Sequence, residues 1–171
     1  EASGGVEGQR EETTERKRSV ERLHKALRNH GPSYGTVEAR DPYTAGHQRR
    51  VADLSRAIAV EIGLPSDRIN GLRLAATIHD LGKISMPGDL LCKPSRLSEI
   101  ESDIIKTPSK SGFTILKDIE SLWPIARIIL EHHERMDGTG YPRGLVGHEI
   151  LLESRIPAVA DVVEAMASHR P

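Results

Sequence analysis

A-A-T-I-H-D-L-G-K-I-S-M-P, residues 75–87, sets His79 beside Asp80 and follows them with Lys83. Counting back from His79, residues Ala76, Leu72 and Ile69 fall at helical spacing, which predicts that the histidine lies on the inward stripe of an amphipathic helix. Neighbouring helical residues point about 100° apart, so this imidazole and carboxylate flank a common point more easily than they touch. Buried together they need a partner, and one divalent cation between them serves both. Gly82 relaxes the helix. Lys83, one turn after His79, presents an ammonium on the same face, where it can meet a phosphate oxygen. A histidine on an apolar stripe also serves as a core residue bonded to a carbonyl, so the reading depends on the rest of the chain.

The 171 residues suffice for one domain with a real core. With 24 basic against 25 acidic side chains, no net field calls for nucleic acid or an anionic membrane. Aromatic residues make up 3%, which removes the usual base-stacking platforms. Cys92 has no second cysteine to pair with, and neither a signal peptide nor a membrane-length apolar segment is present. A cytoplasmic, all-α protein is expected, because valine and isoleucine recur at three and four residues instead of alternating.

Residues 1–10 read as a disordered or linker segment and 11–31 as a connector helix, its narrow apolar seam made of Val20, Leu23 and Leu27 and its end marked by Gly31-Pro32. Such a seam wants a partner, so dimerisation through this helix is an expectation. The main domain is read over 38–171. Asp41-Pro42 opens a helix with His47, Val51, Leu54, Ile58 and Ile62 on one face, and Ser66 or Asp67 caps the helix carrying His79-Asp80. Ser98 with Glu101 predicts a capping box, Pro108 interrupts that helix, and another is expected from about Ser109 to Ile119. Pro124 starts a helix that buries Ile125, Ile128 and Ile129, and His132 and His133 continue that side. Periodicity fails over 135–147, a loop with four glycines and one proline in which Tyr141 should pack on something. The last helix is expected from Glu153 or Ser154 to His169, with Ile156, Val159, Val163 and Met166 as its core stripe and Asp161 between Ala158 and Ala165, facing a helix or an ion.

His47, His79, Asp80, His132, His133 and Asp161 thus all take inward positions near helix ends. Nitrogen and carboxylate donors without thiolate suit iron, manganese, zinc or nickel, and their number exceeds what one ion needs. A carboxylate such as Asp80 can bridge two cations, the arrangement that serves phosphoester hydrolysis.

Four stretches carry a resemblance to a known family: D-P-Y-T-A-G-H-Q-R-R-V (41–51), H-D-L-G-K-I (79–84), H-H-E-R-M-D-G-T-G-Y-P-R-G-L (132–145) and R-I-P-A-V-A-D-V-V-E-A-M-A-S-H-R-P (155–171). The chain resembles the HD-GYP domains of bacterial signalling proteins, a branch of the HD metal-dependent phosphohydrolases. The resemblance implies an HD-type helical bundle. It implies hydrolysis of cyclic di-GMP to the linear dinucleotide pGpG or GMP, by in-line attack of water and without a covalent enzyme intermediate. It implies one or two divalent cations, iron or manganese ahead of zinc or nickel, with His47, His79, Asp80 and Asp161 around one and His132 and His133 holding a second bridged by Asp80. Lys83 then contacts phosphate, and Gly140, Tyr141, Pro142, Arg143 and Arg170 bind or shape the pocket for substrate. An upstream sensory domain is implied as well. The chain departs from the family at T-P-S-K-S-G (107–112), where members carry T-H-x-x-x-G, so Pro108 stands in place of a metal-ligating histidine. Tyr43 stands where some members place a glutamate for a third metal, and the closing helices of the family are absent, which reads as a truncated copy. The alternative these departures suggest is a catalytically impaired domain that senses cyclic di-GMP or binds another protein.

Overall fold

The computed structural model describes residues 4–29, 46–91, 93 and 95–168. They form α1 (Gly4–Asn29), α2 (His47–Glu61), α3 (Ser66–Thr77), α4 (Gly88–Leu91), α5 (Glu99–Ile105), α6 (Thr107–Leu116), α7 (Ile125–Glu131) and α8 (Leu152–Ala167), with 3-10 turns at Leu81–Ser85 and Gly147–Glu149. The all-α expectation holds: among the described residues the one β pairing is an isolated bridge between Asp137 and Val146. None of their helices is long and apolar enough to cross a membrane. The Gly31-Pro32 stop, the Asp41-Pro42 helix start, Tyr43, Cys92 and Arg170 lie outside the described residues.

Two apolar clusters hold the bundle. One joins Leu23 of α1, Ala75 of α3, Leu116 of α6 and Ile125, Ile128 and Ile129 of α7 with Ile78, Leu81 and Trp123. The other joins Ala59, Leu72 and Ile156 from α2, α3 and α8. Helix α7 is central: it packs on α3, α6 and α8, and Ile128 and Ile129 are fully buried. Its entry after Pro124 follows the sequence reading, as does the Ser98–Glu101 capping box of α5, in which Ser98 Oγ accepts from Glu101 N and Glu101 Oε2 accepts from Ser98 N. Pro108 falls in the first turn of α6, where its missing N–H costs nothing.

Several local expectations need correction. Helix α1 starts at Gly4, not Glu11, because Glu, Gln and Arg are good helix formers and an existing helix extends at one new hydrogen bond per residue. Its apolar seam packs on the chain's own first cluster, with Leu23 buried and Val20 and Leu27 against it. Helix α2 keeps His47 and Val51 inward as expected, but its buried face also takes in Ala52, Ser55 and Ala59, Leu54 and Ile58 are half-buried, and Ile62 is exposed. Helices α2 and α3 pack on each other, and Ala59 joins Leu72 of α3 in the second cluster with Ile58 against it. Neither Ser66 nor Asp67 caps α3; both lie in its first turn. In α8 only Ile156 of the expected stripe is buried; Val159, Val163 and Met166 face outward, and Ser154, Pro157, Ala160 and Glu164 face in.

The correction that matters most for the site concerns His79-Asp80. Helix α3 ends at Thr77, and the pair sits in the turn that follows, where Ile78 N, Leu81 N and Lys83 N donate to Ala75 O, Ile78 O and Asp80 O. These three-residue bonds tighten the chain into the 3-10 turn. Gly82 fixes its placement: a Cβ there would lie 1.7 Å from the Pro108 carbonyl oxygen, so α6 rests directly on the turn's backbone. Gly82→Ala should therefore destabilise the domain by about 2 kcal/mol or more, while Gly88→Ala, with nothing within 4 Å of its added Cβ, should stay within about 0.5 kcal/mol; urea denaturation of both variants checks the contrast.

Candidate metal centre

Four donors from three places in the chain converge. His47 begins α2, His79 and Asp80 form the turn after α3, and Asp161 lies mid-way along α8. One ligand atom each from His47, His79 and Asp80 lie within 4.8 Å of one another, and all three residues are buried. Asp161 Oδ1 completes the group at 3.0 Å from His47 Nε2 and 3.9 Å from His79 Nε2.

His47, His79 and His132 are each oriented through one ring nitrogen. His79 Nδ1 donates to the Ala76 carbonyl and His132 Nδ1 to the Ile129 carbonyl, both at 2.7 Å. This fixes the tautomer that leaves Nε2 as a bare acceptor. The Nε2 atoms of His79 and His132 are buried with no hydrogen-bond partner, the arrangement that a metal ion satisfies. His47 Nδ1 instead bonds a carboxylate oxygen of Glu164, whose other oxygen accepts from Arg50 Nε at 2.6 Å and Ser168 Oγ at 2.5 Å. The donor set therefore fits a divalent cation of the borderline class at His47, His79, Asp80 and Asp161.

Burial opposes the charge on Asp80, yet the charges of His79 and Lys83 hold its carboxyl well below the usual range. Lys83 Nζ donates to Asp80 Oδ2 at 2.7 Å. Asp161 is likewise brought to about 2, burial being outweighed by the His47 hydrogen bond and the charge on His79. Glu164 also falls to about 2 through bonds from Ser168, His47 and Arg50 acting against burial. Burial lowers His47, but the bonds to Asp161 and Glu164 outweigh it and raise the imidazole above 6.5. His132 and His133 go the other way, pushed down first by burial.

The imidazoles form a row: ring centroids are 5.7 Å apart for His47 and His79, 5.2 Å for His79 and His132, and 3.9 Å for His132 and His133. Tyr141 closes the row at 4.8 Å from His133, and its backbone N–H donates to the His133 carbonyl at 3.2 Å. The row ends at a cleft of about 850 Å³ walled by His133, Gly140, Tyr141, Arg155, Val159 and Asp161. Of the loop residues the sequence singled out, Gly140 and Tyr141 line this cleft. Pro142 follows a cis peptide bond outside it, and the Arg143 guanidinium turns toward Glu131, 3.7 Å away.

Sequence reasoning missed the carboxylates that hold the site. Glu134 accepts from Arg143 N at 2.7 Å and Leu145 N at 2.9 Å, tying the loop to the end of α7. Glu131, fully buried, accepts from Arg127 Nε, Leu151 N and Ser154 Oγ and joins α7 to α8. Glu164 lies three residues after Asp161, on the same side of α8. The available signal was position: acidic residues flanking His132-His133 and following Asp161 at helical spacing.

The sequence matches the HD domain family over residues 34–171. It is 45% identical over 78% of its length to a cyclic di-GMP phosphodiesterase of Thermotoga maritima. It is 41% identical over 79% of its length to the 3'3'-cGAMP-specific phosphodiesterase 3 of Vibrio cholerae. It spans 37% and 29% of those two relatives, about a third of each. Among solved structures, the HD domain of the L. monocytogenes phosphodiesterase PgpH in complex with cyclic-di-AMP superposes with a TM-score of 0.60 at 25% identity, covering 82% of this chain and 77% of that one.

The opposite shifts at the site give a pH signature in chelated protein. Asp161 and Glu164, ordinarily 3.8 and 4.5, contribute stability above those values that is lost as pH falls toward about 2. His47 contributes fully below 6.5 and loses its contribution as pH rises through its raised value. Thermal melts across pH should show both limbs; Glu164→Gln should flatten the acid limb, and added manganese, taking the proton's place on His47, should remove the alkaline one.

Proposed function

The chain belongs to the HD domain family, and on that premise we propose that it hydrolyses cyclic di-GMP to pGpG or GMP with the help of one or two bound divalent cations. One observation carries the reading: buried imidazoles and carboxylates, their Nε2 atoms turned inward, gather at one end of a cleft of about 850 Å³ whose wall is the glycine-rich loop. That volume falls in the range of small-molecule sites, and the relatives' names favour a cyclic dinucleotide over other phosphoesters. The donors suit iron, manganese, zinc or nickel, and the family resemblance puts iron or manganese first.

His47, His79, Asp80 and Asp161 are the residues that would hold a cation. When bound, it supplies Lewis acidity toward a phosphoryl oxygen and toward water. Asp80 stays ionised at neutral pH, as a ligand must. Lys83, partly exposed beside it, offers a positive charge to a phosphate as negative charge grows in the transition state. Tyr141, pushed up to about 12 by burial and by the charges of Asp161 and Asp80, keeps its hydroxyl proton and can donate to substrate. Glu134 holds the loop in place while its residues bound the cleft. Arg143, directed at Glu131, supports the loop from outside the cleft. As a third of longer relatives, the chain fits a cytoplasmic output module driven by an upstream sensory domain.

A second reading is favoured by Pro108, which abuts the His79-Asp80 turn and has no donor atom: the domain binds cyclic di-GMP without turning it over. Incubation of folded, manganese- or iron-loaded protein with cyclic di-GMP decides between them by chromatography of the products. Linear pGpG or GMP is expected, with at least a hundredfold loss (~10²) in Asp80→Asn. Absence of product from the loaded protein, with a gain of about tenfold or more above background in Pro108→His, establishes the second reading instead.

A further inference from the structure

We infer that this chain takes a single divalent cation, and that the Lys83 ammonium serves as the second positive charge on Asp80; the inference rests on the metal-dependent reading above and concerns how its charge is supplied. Around one point the donors are complete: two imidazoles, His47 and His79, and two carboxylates, Asp80 and Asp161. Around a second point they are not. Among the described residues, no group of three His, Cys, Asp or Glu donors includes His132 or His133. The carboxylate oxygen that would have to be shared is engaged: Lys83 Nζ lies 2.7 Å from Asp80 Oδ2, the same oxygen that lies 3.4 Å from His79 Nε2. From α6, Pro108 and Gly112 pack on this turn, and neither side chain can ligate: Gly112 has none, and the Pro108 ring nitrogen is tied up in its amide.

A second ion would therefore bind through two adjacent neutral imidazoles and an oxygen already shared with an ammonium, and two like charges would crowd one buried carboxylate. An ammonium needs no ligand sphere of its own. With three hydrogens it can hold Asp80 and still turn toward a phosphate oxygen. His132 then keeps its bare Nε2 as an acceptor for a water hydrogen.

Metal counting tests this independently of turnover. Protein dialysed against excess manganese, with the metal measured by mass spectrometry and its spin by electron paramagnetic resonance, should hold one ion per chain with the six-line spectrum of an isolated centre. Two ions per chain, or an exchange-coupled spectrum, overturns the inference, as does a chain that holds none. A second arm uses Lys83→Met. Removing an ammonium in contact with the ligand carboxylate should tighten manganese binding by about tenfold in calorimetric titration, and an unchanged affinity overturns the role given to Lys83. Failure of the cyclic di-GMP assay with a count of one would instead reject the functional reading alone.

Discussion

A carboxylate almost entirely removed from water is the constraint around which this domain is arranged. Asp80 is 4% exposed, and an uncompensated charge at that depth would cost several kcal/mol. Lys83 meets it from three residues along the chain, His79 from one residue before, and α2 and α8 bring His47 and Asp161 to the same place. The short 3-10 turn serves this geometry: with three residues per turn, side chains three apart lie over one another, and Lys83 Nζ meets Asp80 Oδ2. The apolar clusters then act as scaffolding. Their helices α2, α3, α7 and α8 end or pass at one locus, and each delivers a titratable side chain there.

The histidines answer the same constraint through their far sides. Carbonyls at the ends of α3 and α7 take the Nδ1 protons of His79 and His132, so helix termination and tautomer selection are a single event at each position. His47 is served by a carboxylate instead. That difference matters for charge: Glu164 on one nitrogen and Asp161 near the other hold His47 toward its protonated form, and a cation must displace that proton to bind. Proton and metal thus compete at His47.

Much of this was legible in the sequence. The helical class, the breaks at Pro108 and Pro124, the capping box at Ser98 and the set His47, His79, Asp80 and Asp161 follow from apolar spacing and from the rarity of inward-facing ions. The register of α2 followed only in part: His47 and Val51 face inward as the pattern has them, whereas Ala52, Ser55 and Ala59, small residues that a bulk-weighted reading passes over, take the other buried places. The end of α3 did not follow: the contact of Gly82 with Pro108 joins residues far apart in sequence, and no local signal marks it. The carboxylates of Glu131, Glu134 and Glu164 went unremarked because their partners are backbone N–H groups and side chains from elsewhere in the chain. In α8 the outward position of Val159, Val163 and Met166 overturned a stripe that hydrophobicity alone had drawn.

Gly140 has a mechanical meaning. A Cβ there would lie 2.3 Å from Arg135 N and 2.5 Å from the Glu134 Cα, so the loop's main chain lies against the end of α7 with no side chain as cushion. The cleft wall and the helix terminus that carries His132 and His133 therefore move as one body. A ligand that pushes the wall outward strains the imidazoles in the same stroke, and whatever reshapes the row of histidines is felt at the mouth of the cleft.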